Sequence, residues 1–321
     1  MGIVSFFKKY GISILILLLI IYFLKDKITI ESMAEAFSKT NFIFYALGIS
    51  VLIIPIYCHS LKYHLYLGKE SPGIKNLMKM TFLSIHLNST LPARAGDIFS
   101  AVYLKNKGVD FGKATGAVFA ERATDLIVLL IMVLVFSVFI SSEMNGIIAD
   151  AVKMGAIMTI VLLLGVTFVL WKKKTFSNLA KKIKLLKEFD FESFLLKFQE
   201  GIKHLFRNKK ITGVYFIASF LRWIGEAPNY YFMMLAAGII ISGSGALNFG
   251  YALFFLCIVA LLWAIPLTPG GLGTVEAFTL LFFTPLGIPE STSITFLVLI
   301  RSMLLVYIIA GMFMTNKISG D

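Results

Sequence analysis

Nine charged residues stand where this chain is otherwise apolar: Arg94, Asp97, Glu121, Arg122, Asp125, Arg222, Glu226, Glu276 and Arg301. A lone charge at the centre of a bilayer costs about 2.5–3.5 kcal/mol on insertion scales, so intramembrane charges face a bundle interior or a polar cavity and find partners. Their types narrow the chemistry. A guanidinium is planar, always charged and donates through a fork that matches phosphate. Carboxylates can balance such a group or serve as a general base. Four arginines against five acids suit a site for a charged head group, and they equally suit charges that pair only to hold helices together. Glu121 and Asp125 are four apart and Arg122 and Asp125 three apart, which puts the three broadly on one helical face. Arg222 and Glu226 are also four apart and could neutralise each other. The four histidines, His59, His64, His86 and His204, show no metal-ligand spacing, and neither a phosphate-cradling Gly-Lys loop nor an Asp-rich metal motif is present. No metal and no cofactor is expected.

Two interrupted stretches must position these charges. In NLMKMTFLSIHLNSTLPARAGDIFSAVYLK, near 76–104, an apolar segment stops at Leu91-Pro92, and a second helix restarts around Gly96. In AIPLTPGGLGTVEAFTLLFFTPLG, near 260–286, Pro266, Pro269, Gly270, Gly271 and Gly273 end one helix before another begins at Thr274. Both halves of the first stretch, and Thr274 to Phe283 in the second, fall short of the ~20 residues that cross a ~30 Å hydrocarbon core. Two half-helices meeting at a break make a re-entrant hairpin, which protein or water must satisfy. A kinked single span or an interfacial pair would give the same pattern in the first stretch.

Composition sets the class. The 321 residues are 58% hydrophobic and 15% charged, with a mean hydropathy of +0.85. Soluble domains carry about 25% charged residues, so the expectation is an all-α integral membrane protein. It would be a polytopic bundle of six to eight membrane helices. The net charge of +12 is concentrated: residues 172–210 hold eleven Lys and one Arg against four acids, net +8. A basic run between apolar spans is mainly a topology signal with anionic lipid as its partner. Nucleic acid is not expected. Cys58 and Cys257 read as reduced packing residues.

Taken in order, Lys8 and Lys9 precede a first apolar run, Ile12 to Leu24, which reads as an anchor rather than a cleaved signal. A span from Phe42 to about Ser60 continues as HSLKYHLYLGKESPG, whose Tyr, His and Lys suit the membrane interface. Further spans are expected over 114–141, 154–171, 211–242, from 251, and over 292–314. Charge bias places both termini in the cytoplasm of a multi-pass cell-membrane protein. The chain then divides into a first half (1–171), a basic amphipathic cytoplasmic loop (172–210) and a second half (211–321). The two interrupted elements enter from opposite faces, an inverted repeat of the kind that marks a transporter's midplane site.

At LPARAGDIFSAVYLK, AERATD and PLTPGGLGTVEAF the chain resembles the transmembrane domain of the lysylphosphatidylglycerol synthase/flippase family. The matching residues are Pro92, Arg94, Gly96 and Asp97; Glu121, Arg122 and Asp125; and Pro269, Gly270, Gly271, Gly273 and Glu276. The resemblance implies a protein that moves lipids between leaflets along re-entrant helices. No soluble aminoacyl-transfer domain is expected, which narrows the implied role to the flippase-like half. Movement of a phospholipid or a polyprenyl-linked lipid is one reading. The other is a membrane-embedded lipid-modifying transferase or its accessory subunit, with Asp97, Glu121 or Glu276 as general base. Candidate partners are lipids with anionic or phosphate-bearing head groups, a separate lipid-modifying enzyme and a second copy of the chain.

In the basic loop Phe191, Leu195, Phe198, Ile202 and Phe206 recur at spacings of three and four with Lys between them, the pattern of a helix lying on a leaflet. A peptide of residues 179–206 should bind anionic vesicles more tightly than neutral ones, by about 1 kcal/mol for each Lys near the surface and less in high salt. Equal binding to both vesicle types would contradict this.

Overall fold

In the computed structural model the described residues are 34, 37–90, 94–143, 205–264, 271 and 273–316. Among them every regular element is helical and none is a strand. The helices are α1 (Phe42–Ser50), α2 (Ile53–Leu67), α3 (Ile74–Thr90), α4 (Ala95–Asn106), α5 (Phe111–Glu143), α6 (Lys209–Ala236), α7 (Gly245–Ala264), α8 (Thr274–Phe283) and α9 (Glu290–Asn316). By length and composition two stretches of the described residues, Phe42–Glu70 and Gly245–Trp263, are apolar enough to cross a membrane. The described helices start before the expected spans, α5 at Phe111 and α6 at Lys209, but α6 ends at Ala236, short of the expected 242. The expected anchor over 12–24, the span over 154–171 and most of the basic loop lie outside the described residues.

Two compact units divide the chain. One comprises Met1–Ile54, Phe82–Asp97 and Ile224–Asp321; the other comprises Pro55–Thr81 and Ile98–Trp223. The boundaries fall inside α2, α3, α4 and α6, so each of these helices contributes to both units.

The second unit is built on small residues. Ala114, Ala117 and Ala120 recur every three residues on α5 and are fully buried, together with Tyr63, Leu67, Met80, Leu104 and Tyr215. Without a hydrophobic drive between helices in lipid, small residues that let backbones approach are what favours packing. The end of α2 is closed by Lys113, whose Nζ donates to the Leu67 carbonyl at 3.1 Å and to Glu70 at 2.7 Å.

The first unit is held by aromatic packing. Phe255 of α7 meets Phe278 and Phe283 of α8 and Phe296 of α9, with ring centroids 5.2–5.5 Å apart. These offset and edge-on contacts each add about 0.5–1.5 kcal/mol beyond burial. Long-range polar ties complete the unit: Asn229 Nδ2 donates to the Gly48 carbonyl at 2.7 Å, and Tyr45 and Ser302 share a 2.7 Å hydroxyl hydrogen bond. Asn229 directly follows Pro228, the proline inside α6. A proline there removes one intrahelical donor.

Both sequence interruptions are breaks between helices. The 12 residues of α4 reach only about 18 Å and the 10 of α8 about 15 Å, at 1.5 Å per residue. Pro92 lies outside the described residues, between α3 and α4, as do Pro269 and Gly270 between α7 and α8. Around the first break α3 and α4 approach so closely that only a glycine fits. A Cβ on Gly96 would run into the Ser84 carbonyl oxygen and stand 2.8 Å from Asn88 Oδ1.

Gly96→Ala should therefore destabilise the protein by about 1–3 kcal/mol, the usual cost of overpacking. Gly213 lies on α6 with open space around it, so Gly213→Ala should gain about 0.5–1 kcal/mol of helix propensity. Thermal unfolding of the detergent-solubilised protein checks both. A Gly96→Ala protein that melts with the wild type would refute the close approach.

Candidate functional site

The strongest concentration of buried charge lies in the second unit, and it starts from α2. The buried residues of that helix include Cys58, His59, Lys62, Tyr63 and Tyr66, one helical face at spacings of three and four. Lys62 is fully buried (0% exposed). From α5 come Glu121, also at 0%, and Asp125 at 4%; from α6 comes Arg222 at 8%. Lys62 Nζ donates to Glu121 Oε1 at 3.1 Å and pairs with Asp125. Arg222 Nη1 donates to the same Glu121 Oε1 at 3.2 Å and also pairs with Asp125. Ser219 Oγ donates to Asp125 Oδ1 at 2.9 Å, and Arg122 Nε lies 3.3 Å from Glu121 Oε2. Glu121 and Asp125 share a face because they are one helical turn apart. The two acids thus become a bridge between cations supplied by α2 and α6.

Of the residues read from sequence, this cluster unites Glu121, Arg122, Asp125 and Arg222. It adds Lys62, His59 and Ser219, which the sequence reading left out. His59 and Lys62 were assigned to the membrane interface; the structure buries both instead, because the carboxylates of α5 face that side of α2. The available signal was arithmetic. Five acids against four arginines left one carboxylate without a cation, and Lys62, at the end of an apolar run, could supply it. Arg222 is directed to α5; Glu226, one turn further along α6, is half-buried and belongs to the other unit.

His59, Glu121 and Asp125 bring an imidazole nitrogen and two carboxylates within 4.8 Å of one another, a donor set that a divalent cation can use. The carboxylate oxygens are already engaged by an ammonium and a guanidinium. A divalent cation would have to displace both or sit beside them against their charge. The cluster is an ion-pair network in its chemistry.

The first unit holds two smaller groupings. At the turn into α8, Gly271 and Gly273 adopt positive φ, 63° and 82°, where a side chain is strained. A Cβ on Gly271 would also strike the Trp263 indole. Glu276 closes this turn: its Oε2 accepts the Gly273 N–H at 2.5 Å, while its Oε1 takes Arg301 Nε at 2.7 Å. Arg301 Nη2 reaches the Gly271 carbonyl at 3.2 Å. At the entry to α4, Arg94 has φ 54°, and its carbonyl accepts the Asp97 N–H at 3.0 Å. Asn88 works both ways, accepting the Gly96 N–H at 2.9 Å and donating to Asp97 Oδ1 at 3.1 Å. Ser84 Oγ donates to the Gly96 carbonyl at 2.8 Å. The N–H groups of Gly96, Asp97 and Gly273 are thus occupied by the protein itself.

Comparison with known proteins fits this geometry. A family model described as the lysylphosphatidylglycerol synthase TM region matches residues 11–311, a range that includes every residue of the three groupings. The UPF0104 membrane protein of Methanocaldococcus jannaschii is 31% identical over 196 residues, which is 59% of this chain and 75% of that protein. The chain is a helical membrane protein, and it belongs to the family of the lysylphosphatidylglycerol synthase transmembrane region.

Proposed function

We propose that this protein moves a lipid with a phosphate-bearing head group between membrane leaflets. One observation carries the reading: Lys62, Glu121, Asp125 and Arg222, from three helices, are buried together and neutralised through two shared carboxylates. A phosphate oxyanion offers the same acceptors as a carboxylate, so a head group can exchange with Glu121 or Asp125 for the guanidiniums of Arg222 and Arg122. The tails need no site, since they stay in hydrocarbon.

Arg94 and Arg301 belong to the same proposal as phosphate partners beside the helix breaks. Asp97 and Glu276 then act as positioning residues: they fix the breaks through Asn88 and Gly273, and Glu276 also holds Arg301. The α3–α4 and α7–α8 pairs are re-entrant in this reading and enter from opposite faces, with both termini cytoplasmic. Each break leaves backbone groups that hydrocarbon cannot satisfy, and side chains do satisfy several of them.

Purified protein in vesicles, with a fluorescent anionic phospholipid and no nucleotide, should speed the loss of leaflet asymmetry over protein-free vesicles. Arg222→Lys and Arg94→Lys keep the charge and lose the bidentate fork. One lost charge-assisted hydrogen bond, about 1.5–3 kcal/mol, corresponds to a rate roughly ten-fold or more lower. If both variants insert and exchange lipid at the wild-type rate, the charges only brace the bundle. The re-entrant arrangement has its own test in single cysteines placed beside each break. Those near Pro92 should be labelled from one face of the membrane and those near Pro269 from the other; labelling from one shared face would overturn the inverted arrangement.

A further inference from the structure

The buried network contains a redundancy. Lys62 Nζ and Arg222 Nη1 grip the same two carboxylates: both donate to Glu121 Oε1, at 3.1 and 3.2 Å, and both pair with Asp125. The two cations differ in one respect that matters here. A guanidinium keeps its proton at every physiological pH, whereas a lysine ammonium can give its proton up. If Lys62 did so, Arg222 would still bridge Glu121 and Asp125, and Ser219 would still hold Asp125 Oδ1. The frame would persist while the charge of the network fell by one.

The surroundings determine what else could change charge. From α2, His59 places Nδ1 at 3.5 Å from Glu121 Oε1; this buried nitrogen has no hydrogen bond. Cys58 lies on the same helix. From α5 come the two carboxylates and Arg122, whose charge is fixed. From α6 come Arg222, also fixed, and Tyr215, whose ring lies 5.9 Å from Lys62 Nζ. Tyr63 and Tyr66 complete the buried aromatic surround. Among these, the ammonium of Lys62 sits directly on both acids, and its loss of charge leaves the bridge between helices standing.

We propose that Lys62 is the proton-exchanging residue of the translocation cycle, so that one proton travels with each singly charged anionic head group. The inference rests on the lipid-translocation reading above. With Lys62 protonated, the network has the cationic strength to draw a phosphate monoanion onto Arg222 and Lys62. On the release side Lys62 gives its proton to water, its amine no longer attracts the anion, and the head group leaves. The emptied protein returns and Lys62 takes a proton again on the first side. No covalent bond of the lipid forms or breaks. One positive and one negative charge move together, so the transfer carries no net charge.

The test uses the full-length protein in vesicles containing phosphatidylglycerol and a fluorescent phosphatidylglycerol analogue. Leaflet distribution is read by quenching from outside, and lumenal pH by a trapped dye. An inside–outside difference of one pH unit, with the membrane potential clamped at zero, should drive the analogue toward the alkaline side, to an asymmetry of up to about ten-fold at one-to-one coupling. A membrane potential at equal pH should leave the distribution unchanged. Each translocated analogue should bring one proton with it. Lys62→Arg keeps the charge but cannot release the proton, so any exchange it supports should ignore the pH difference. Wild-type exchange that ignores the pH difference, or that follows the potential, would overturn Lys62 coupling and leave translocation intact. So would a Lys62→Arg protein that still drives lipid with the pH gradient. Absence of exchange under every condition would overturn the translocation reading and the coupling with it.

Discussion

An ion in hydrocarbon must be neutralised where it stands, and Glu121 and Asp125 show how closely that constraint governs local structure. The idealised cost of moving such an ion out of water is of order 20 kcal/mol, and several kcal/mol survive relaxation. Two carboxylates one turn apart on α5 therefore demand cations on the helices that face them. Lys62 and Arg222 supply them from α2 and α6. The buried alanines of α5 at 114, 117 and 120 play the complementary part: small side chains leave room for the larger ones of the neighbouring helices. Charge pairing and small-residue packing are thus two sides of one solution.

The same constraint acts on the backbone at the helix breaks. A chain that stops and restarts a helix in a low-dielectric setting exposes donors that water does not reach. Here the donors are met by near neighbours: Asn88 for Gly96, and Glu276 for Gly273. Glu276 in turn needs a cation, and Arg301 is 2.7 Å away while also bonding the Gly271 carbonyl. Asp97, Glu276 and Arg301 therefore each have a structural duty first. This separates Glu276 and Asp97 from Arg222 and Lys62, which share the same two acids.

Much of this was legible in the sequence, for physical reasons. The helical class follows from the long unbroken apolar runs. Backbone at lipid depth must bond within a helix or close a barrel, and barrel strands would alternate apolar with polar residues. The breaks are visible because proline and glycine act locally; α8 begins and ends where the residue pattern places it, at Thr274 and Phe283. The acidic face of α5 follows from helical spacing. Lys62 was hidden because the identity of its partners is a property of helix packing, which spacing along one helix does not carry. A lysine near Tyr and His at the end of an apolar run has the composition of a membrane interface. Only the juxtaposition with α5 distinguishes it. Whether a terminal N–H at a helix break is open likewise depends on side chains that are neighbours in space, as Asn88 and Glu276 show.

Stability alone gives no reason for so many ionisable groups at this depth. Replacing a buried ion network with well-packed apolar residues is often neutral or stabilising by 1–4 kcal/mol, as measured in other proteins. A chain already 58% hydrophobic has every means to build such a core. An apolar replacement would lose one thing only: acceptors and donors that can change partners without leaving a charge stranded. Carboxylates held twice over satisfy that condition: with one cation turned away, the other still neutralises the acids. A single ion pair could not do this, because opening it would bury two lone charges at once. The proposed exchange of partners depends on this doubled grip on Glu121 and Asp125.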